Sequence, residues 1–252
     1  MRETDNSRRC HFADFTRANY AALVRLALHA YPARTYADFQ GEARFVLWRH
    51  DVDFSLHSAL KLAEIEAAQG MVATYFLLPH SEFYNLLERE CTETARNILA
   101  LGHRLGLHFD HRFWRVKDEQ ALERALAVEK KLLEDCFERQ INAFSFHVPD
   151  DLSARFVNDS YAGLANTYSA YFKSSVGYCS DSNGYWRHRR LEDVLREGGD
   201  ARLQVLTHPE YWQDTVMSPR ERVERCIRGR ADKTREWYRT ILQRTGREDV
   251  DW

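Results

Sequence analysis

Six polar residues constrain how this chain can fold. Asp51, His80, His108, His147, Asp181 and His208 each stand at or near the C-terminal end of a short apolar run, at successive intervals of 29, 28, 39, 34 and 27 residues. The runs read as buried strands: Arg44 to Trp48, Met71 to Leu78, Arg104 to Phe109, Ile141 to Phe146, Ser174 to Cys179 and Arg202 to Thr207. Helical segments lie between them. Ser55 to Gln69 carries Leu56, Leu60 and Ala63 on one face and stops at Gly70, Thr94 to Leu101 stops at Gly102, and Lys117 to Arg139 is long and amphipathic. A short helical piece around Leu191 to Arg196 follows, with further helices expected over 13–31 and 219–244.

Strand, helix and strand in this rhythm imply parallel βαβ units of roughly 30 residues each, wound with one hand. In a parallel barrel the C-terminal strand ends share one face, where side chains from several strands meet. The expected fold is therefore α/β, a distorted barrel of about seven parallel strands in a single domain over 1–252, with the six polar residues on one rim. Any one of them alone is ordinary loop chemistry; the set points to a site.

A chain of 252 residues suits one such barrel. Its 36 basic and 38 acidic side chains leave a net charge of −2, which excludes an electrostatic footprint for nucleic acid or an anionic membrane. Cys10, Cys91, Cys136, Cys179 and Cys226 are scattered singly with no CxxC pair, as reduced thiols are. Met1 to Phe12 is polar, and no run approaches membrane-spanning length, so a cytoplasmic enzyme is expected.

Asp51 and Asp53 lie at i and i+2 after a buried strand and point to one side if the extended geometry persists. Two carboxylates that close need a cation or a proton between them, and histidines at neighbouring strand ends supply neutral imidazole ligands for a divalent metal. Such a metal activates water and polarises a carbonyl, so hydrolysis of an amide or ester follows, with the other carboxylate as base and a histidine as acid.

The segments RHDVD, GHRLGLH, SFHVPD, SDSNGYW and LTHPEYW resemble, in order, the motifs of the NodB-like polysaccharide deacetylases (carbohydrate esterase 4-like), over roughly residues 44 to 212. Within that superfamily the chain is most similar to cytoplasmic members with a DVD first motif, and the family fold is a distorted (β/α) barrel. The resemblance implies Asp51 as catalytic base, Asp53 and His108 as metal ligands and His208 as general acid. It implies Asp181 and Trp186 as residues shaping the pocket. The implied metal is zinc, with cobalt, nickel or manganese as substitutes.

The pattern departs from the family at one place. The second histidine normally falls four residues after the first, and here that position is Arg112. His111, one residue short, and His147, at the usual arginine of the third motif, are the two candidates for the third ligand. His147 is favoured because a strand end fixes its direction. Asp110 is either an oxygen donor, an orienting partner or a cap.

Tyr211 and Trp212 read either as walls for a sugar ring or as packing. His50, His57, His80 and His103 read as hydrogen-bonded structural residues, with His80 also a rim contact. The implied activity is removal of an N-acyl group, acetyl above all, from a small-molecule amino sugar or sugar conjugate. A nonsugar amidase and a catalytically silent binding protein are the alternatives, and the C-terminal helix offers either a solvated face or a homo-oligomer contact.

Overall fold

The computed structural model describes residues 5–250; Met1 and the outer bounds expected for the domain, 1 and 252, lie outside the described residues. The chain opens with α1 (Asp5–Arg9), a single 3-10 turn (Phe12–Phe15), α2 (Arg17–Ala30) and β1 (Ala33–Arg34). Alternation then sets in with β2 (Phe45–Val52), α3 (Leu56–Ala67), β3 (Thr74–Leu77), α4 (Arg89–Ala100), β4 (Arg104–Phe109), α5 (Glu119–Phe137) and β5 (Ala143–Phe146). A short hairpin of β6 (Ser160–Tyr161) and β7 (Leu164–Asn166) precedes α6 (Ala170–Ser175), β8 (Gly177–Ser180), α7 (Leu191–Glu197), β9 (Arg202–Thr207) and α8 (Pro219–Thr245).

Seven strands run parallel in the order β7-β5-β4-β3-β2-β9-β8, with β1 added parallel to β2 and β6 antiparallel to β7. This is the expected barrel of about seven parallel strands, opened on one side, since no pairing joins β7 to β8 among the described residues. A side chain of β9 ties to the residue after β7: the Gln204 amide donates to the Thr167 carbonyl (3.4 Å) and accepts from the Tyr36 hydroxyl (2.8 Å).

Strand β2 is buried at all eight positions, so its period of two sorts residues between two interiors. Val46, Trp48 and Val52 join the large apolar layer beneath the helices, whereas Phe45 and Leu47 join the barrel filling with Tyr36, Phe39, Phe76, Ala143, Phe172 and Val176. Close packing of that filling requires Gly106: a Cβ there would stand 2.5 Å from the Phe76 ring.

Several boundaries differ from the sequence reading for local reasons. β2 continues past Trp48 because Arg49 and Asp51 pair with each other (3.1 Å) and His50 pairs with Glu66 (2.7 Å) in the interior. The strand expected from Ser174 begins only at Gly177, since the Ser169 hydroxyl accepts from the Phe172 amide and caps α6 over that stretch. The helix expected from residue 13 starts at Arg17, where Thr16 is the cap. The hairpin turns at Ala162 (φ 50°) and Gly163 (φ 72°), the left-handed pair of a tight two-residue connection.

Behind β2 a buried polar cluster ties the helices to the sheet. Glu66 of α3 accepts from the Tyr20 hydroxyl, the Tyr75 hydroxyl (2.6 Å) and His50 Nε2 (2.7 Å), while His50 Nδ1 meets Thr207 Oγ1 at 2.7 Å. Burial raises the Glu66 pKa, but the charge and hydrogen bond of His50, with His103 and Tyr20, outweigh it and hold the carboxyl below its ordinary value. His103 donates to the Ala63 carbonyl (2.9 Å) and accepts from the Ala73 amide (3.2 Å). Glu66→Ala strands three donors at once. It should lower the free energy of unfolding by about 3–5 kcal/mol, read from the shift in a urea or guanidinium midpoint.

Candidate metal centre

Asp53, His108 and His147 bring three donor atoms to one point. His108 Nε2 lies 3.0 Å from Asp53 Oδ1, His147 Nδ1 lies 3.6 Å from the same oxygen, and the two ring nitrogens are 3.2 Å apart. Among the described residues this is the one group of histidine, cysteine or carboxylate side chains suited to hold a metal ion. Strand geometry delivers them: Asp53 follows β2 in the same phase as Asp51, His108 lies in β4 paired with Ser145, and His147 follows β5 with its amide on the Phe109 carbonyl (2.9 Å).

The donor chemistry fits a divalent cation. His108 Nδ1 donates to the Ser145 carbonyl at 3.1 Å, which leaves the Nε2 lone pair directed at a carboxylate oxygen and a second imidazole. Three acceptors facing one another at these distances need a proton or a cation between them. Burial opposes the charge on Asp53, but His108, His147 and His208 outweigh it and hold the carboxyl well below the usual range. Burial likewise disfavours a proton on His108, yet Asp51 and Asp53 raise its pKa, and the same field attracts a metal.

Asp51 stands beside this group with Oδ2 3.9 Å from His108 Nδ1. Its Oδ2 accepts from Arg49 Nη2 (3.1 Å) and Ser145 Oγ (3.0 Å), whereas its Oδ1 is buried without a partner. Arg49 is fully buried, donates also to the Tyr168 hydroxyl (3.2 Å) and lies over the rings of Phe76 and Tyr168. Burial opposes its charge, but Asp51 outweighs that and keeps the guanidinium firmly protonated.

His208 Nε2 lies 4.0 Å from Asp53 Oδ2. Asp181 fixes this ring: it accepts from His208 Nδ1 at 2.6 Å, from the His208 amide at 3.0 Å and from the Trp212 indole at 2.9 Å. Burial would strip the imidazole of its proton, but the Asp181 carboxylate outweighs burial and pushes the His208 pKa up to about 10. His208 therefore carries a proton at neutral pH.

The remaining sequence candidates fall elsewhere. His111 falls outside the converging donor group; its Nε2 is engaged by Asp150 at 3.0 and 3.1 Å and its Nδ1 is buried without a partner. Asp110 caps the Arg112 amide (2.8 Å), and Arg112 itself reaches Asp150 (3.0 Å). Asp181 is fully buried, with its oxygens engaged by His208 and Trp212. Trp186 and Trp212 are buried packing residues: Trp186 stacks on Phe15 at 5.0 Å and donates to Asp14 at 2.9 Å, and Trp212 is 1% exposed. Tyr211 is also buried (8% exposed), with its ring 5.7 Å from that of His208.

Three residues escaped the sequence reading. Arg49 was legible, since it precedes Asp51 by two and shares its face. Ser145 stands in the same relation to His147. Glu210 had no signal: both its oxygens are buried without partners, and burial raises its pKa far above the usual carboxylate range.

His80 is part of a separate arrangement at the β3 and β4 ends. It stacks on Phe113 at 3.5 Å and meets Glu129 Oε1 at 2.6 Å, the oxygen that also accepts from the Trp114 indole (2.6 Å).

No family model matches the sequence, and no curated protein matches it. Among solved structures the chain is similar to a CE4 family pseudoenzyme from Bacillus anthracis (TM-score 0.47, 14% identity, 77% of this chain and 62% of that one). It is also similar to the Xyl-CE4 domain of a multidomain xylanase from the hindgut metagenome of Trinervitermes trinervoides (TM-score 0.44, 9% identity, 84% and 96% covered). A third likeness is to the chitin deacetylase of the fungal pathogen Colletotrichum lindemuthianum (TM-score 0.41, 14% identity, 73% and 81% covered). The chain spans 62% of the length of the first of these.

Burial of Glu129 raises its pKa from 4.5 to about 7. A carboxyl protonated more tightly in the folded state contributes stability that is whole below pH 4.5 and is lost as pH rises through 7, by about 3 kcal/mol for a shift of this size. Glu129→Gln keeps an oxygen for Trp114 and cannot ionise. Its unfolding free energy should be flatter than that of the wild type between pH 4.5 and 8 and higher above pH 7, as measured by denaturant titrations across that range.

Proposed function

We propose that the chain is a divalent-metal hydrolase of the polysaccharide-deacetylase type, removing an N-acyl group, acetyl in our reading, from an amino sugar or sugar conjugate. The observation that carries this reading is the closeness of two proton-handling groups to the Asp53–His108–His147 group: Asp51 Oδ2 lies 3.9 Å from His108 Nδ1, and His208 Nε2 lies 4.0 Å from Asp53 Oδ2. The motif resemblance supports the same assignment.

A divalent ion held by Asp53, His108 and His147, zinc being the natural choice for this donor set, supplies an acidified water and polarises the acyl carbonyl. The chain's own groups handle the protons. Arg49 and Ser145 hold Asp51 Oδ2, which leaves Oδ1 free to take a proton from water. Asp181 holds His208 Nδ1, so its Nε2 proton is aimed at the site and is available to a leaving amine. A base and an acid beside one centre can serve the two proton transfers of amide hydrolysis.

The test is acyl release from a panel of free and nucleotide-linked N-acyl sugars, together with metal content of each variant. Asp51→Asn should retain metal and lose turnover by about two to four orders of magnitude. His208→Ala should also retain metal and lose turnover, with the deficit smallest for substrates whose leaving group needs no proton. Loss of metal from Asp51→Asn would show that the roles of Asp51 and Asp53 have been misassigned.

A further inference from the structure

The second imidazole of the donor group hangs on a loop that the backbone does not favour. Val148, directly after His147, has φ 45°, the left-handed region that a β-branched residue adopts only under constraint, and Pro149 follows it. His147 is tied on one side by its amide to the Phe109 carbonyl (2.9 Å). On the other side, three residues on, stands Asp150.

Asp150 gathers contacts from two loops. His111 Nε2 reaches both of its oxygens at 3.0 and 3.1 Å, and Arg112 Nη2 reaches Oδ2 at 3.0 Å. The Ser153 amide donates to Oδ1 (3.1 Å), and the Asp150 amide donates to Ser153 Oγ (2.7 Å). His111 is 2% exposed and Ser153 1%, so the inner half of this clasp is shielded from water, while the Arg112 half is open. The ordinary exposed ion pair contributes little; here the Asp150 side chain is 35% exposed, but its partner His111 is buried and the Ser153 amide holds the same carboxylate.

We propose that Asp150 is the positioning residue for His147. His111 and Arg112, on the loop after β4, grip Asp150 and thereby hold the strained Val148 turn in the one conformation that carries the His147 ring to within 3.2 Å of His108. This inference rests on the metal-centre reading above and assigns a task to His111 and Arg112. They do not bind the ion; they fasten the loop that brings in its third ligand from the neighbouring strand.

The experiment uses the full chain and reads metal binding without reference to activity. Zinc affinity is measured by competition against a chromogenic chelator, and the visible spectrum of the cobalt-loaded protein reports the ligand set. Wild type should bind one equivalent, and His147→Ala should bind at least about 100-fold more weakly with an altered cobalt spectrum. Asp150→Ala should weaken zinc by about 10- to 100-fold, the usual range for a partner that orients a ligand, and shift the cobalt spectrum toward that of His147→Ala.

Asp150→Asn keeps an acceptor for His111 and Ser153 and should restore binding to within about fivefold of wild type. If Asp150→Ala does not fold, His111→Ala removes the same grip from the other side and should weaken zinc by about tenfold. Zinc bound equally by wild type, Asp150→Ala and His111→Ala would overturn the inference and leave the metal centre standing, as would a lowered melting temperature with unchanged affinity. Absence of zinc binding by the wild type would overturn both.

Discussion

The structure depends on one constraint: β2 is buried on both faces, and a strand can serve two interiors only by alternating between them. Odd positions turn into the barrel, so Phe45 and Leu47 fill it while Arg49, Asp51 and, beyond the strand, Asp53 line its mouth. Even positions turn out toward the helices, so Val46 and Trp48 pack there and His50 meets Glu66. A slip of one residue would exchange these sets, placing carboxylates in an apolar layer and stripping Glu66 of its partner. The catalytic-looking face and the stabilising polar cluster are two sides of one register.

That arrangement concentrates buried charge, and the charges are balanced locally. Glu66 has three donors, and Asp51 has a guanidinium and a hydroxyl. Asp181 has an imidazole, an amide and an indole. The exceptions are informative because a buried polar atom without a partner is costly. Asp51 Oδ1 and Asp53 Oδ1 are both left without a hydrogen-bond donor where the imidazoles converge, on the side where a cation and a water would sit. Both Glu210 oxygens are likewise buried without a partner, and burial raises the pKa of that carboxyl.

Much of this was legible in the sequence because period and spacing record burial directly. Apolar runs ending in Asp or His at about thirty-residue steps gave the parallel strands and the shared rim, and the pair at 51 and 53 gave one face. What stayed hidden depends on partners distant in the chain. Nothing local distinguishes Trp186, whose indole seats on Asp14 across 172 positions, from a tryptophan open to substrate. Asp181 reads as a pocket residue until Trp212 and His208 are seen to occupy it. The β6–β7 hairpin is too short to show a period, and Ser169 stops a strand by capping a helix that composition alone does not announce.

The departure at Arg112 follows from the same geometry. A ligand four residues beyond His108 would rest on the loop after β4, whereas His147 comes from the adjacent strand, paired through His108 and Ser145. Moving a donor across the sheet in this way frees the loop after β4 from coordinating, but the new donor sits one residue beyond the last rung of its ladder and beside a left-handed valine. A ligand so placed is only as rigid as whatever closes the turn behind it. His111 and Arg112 both contact Asp150, three residues past His147, and in the role proposed for Asp150 those contacts would close that turn and stiffen the His147 ring.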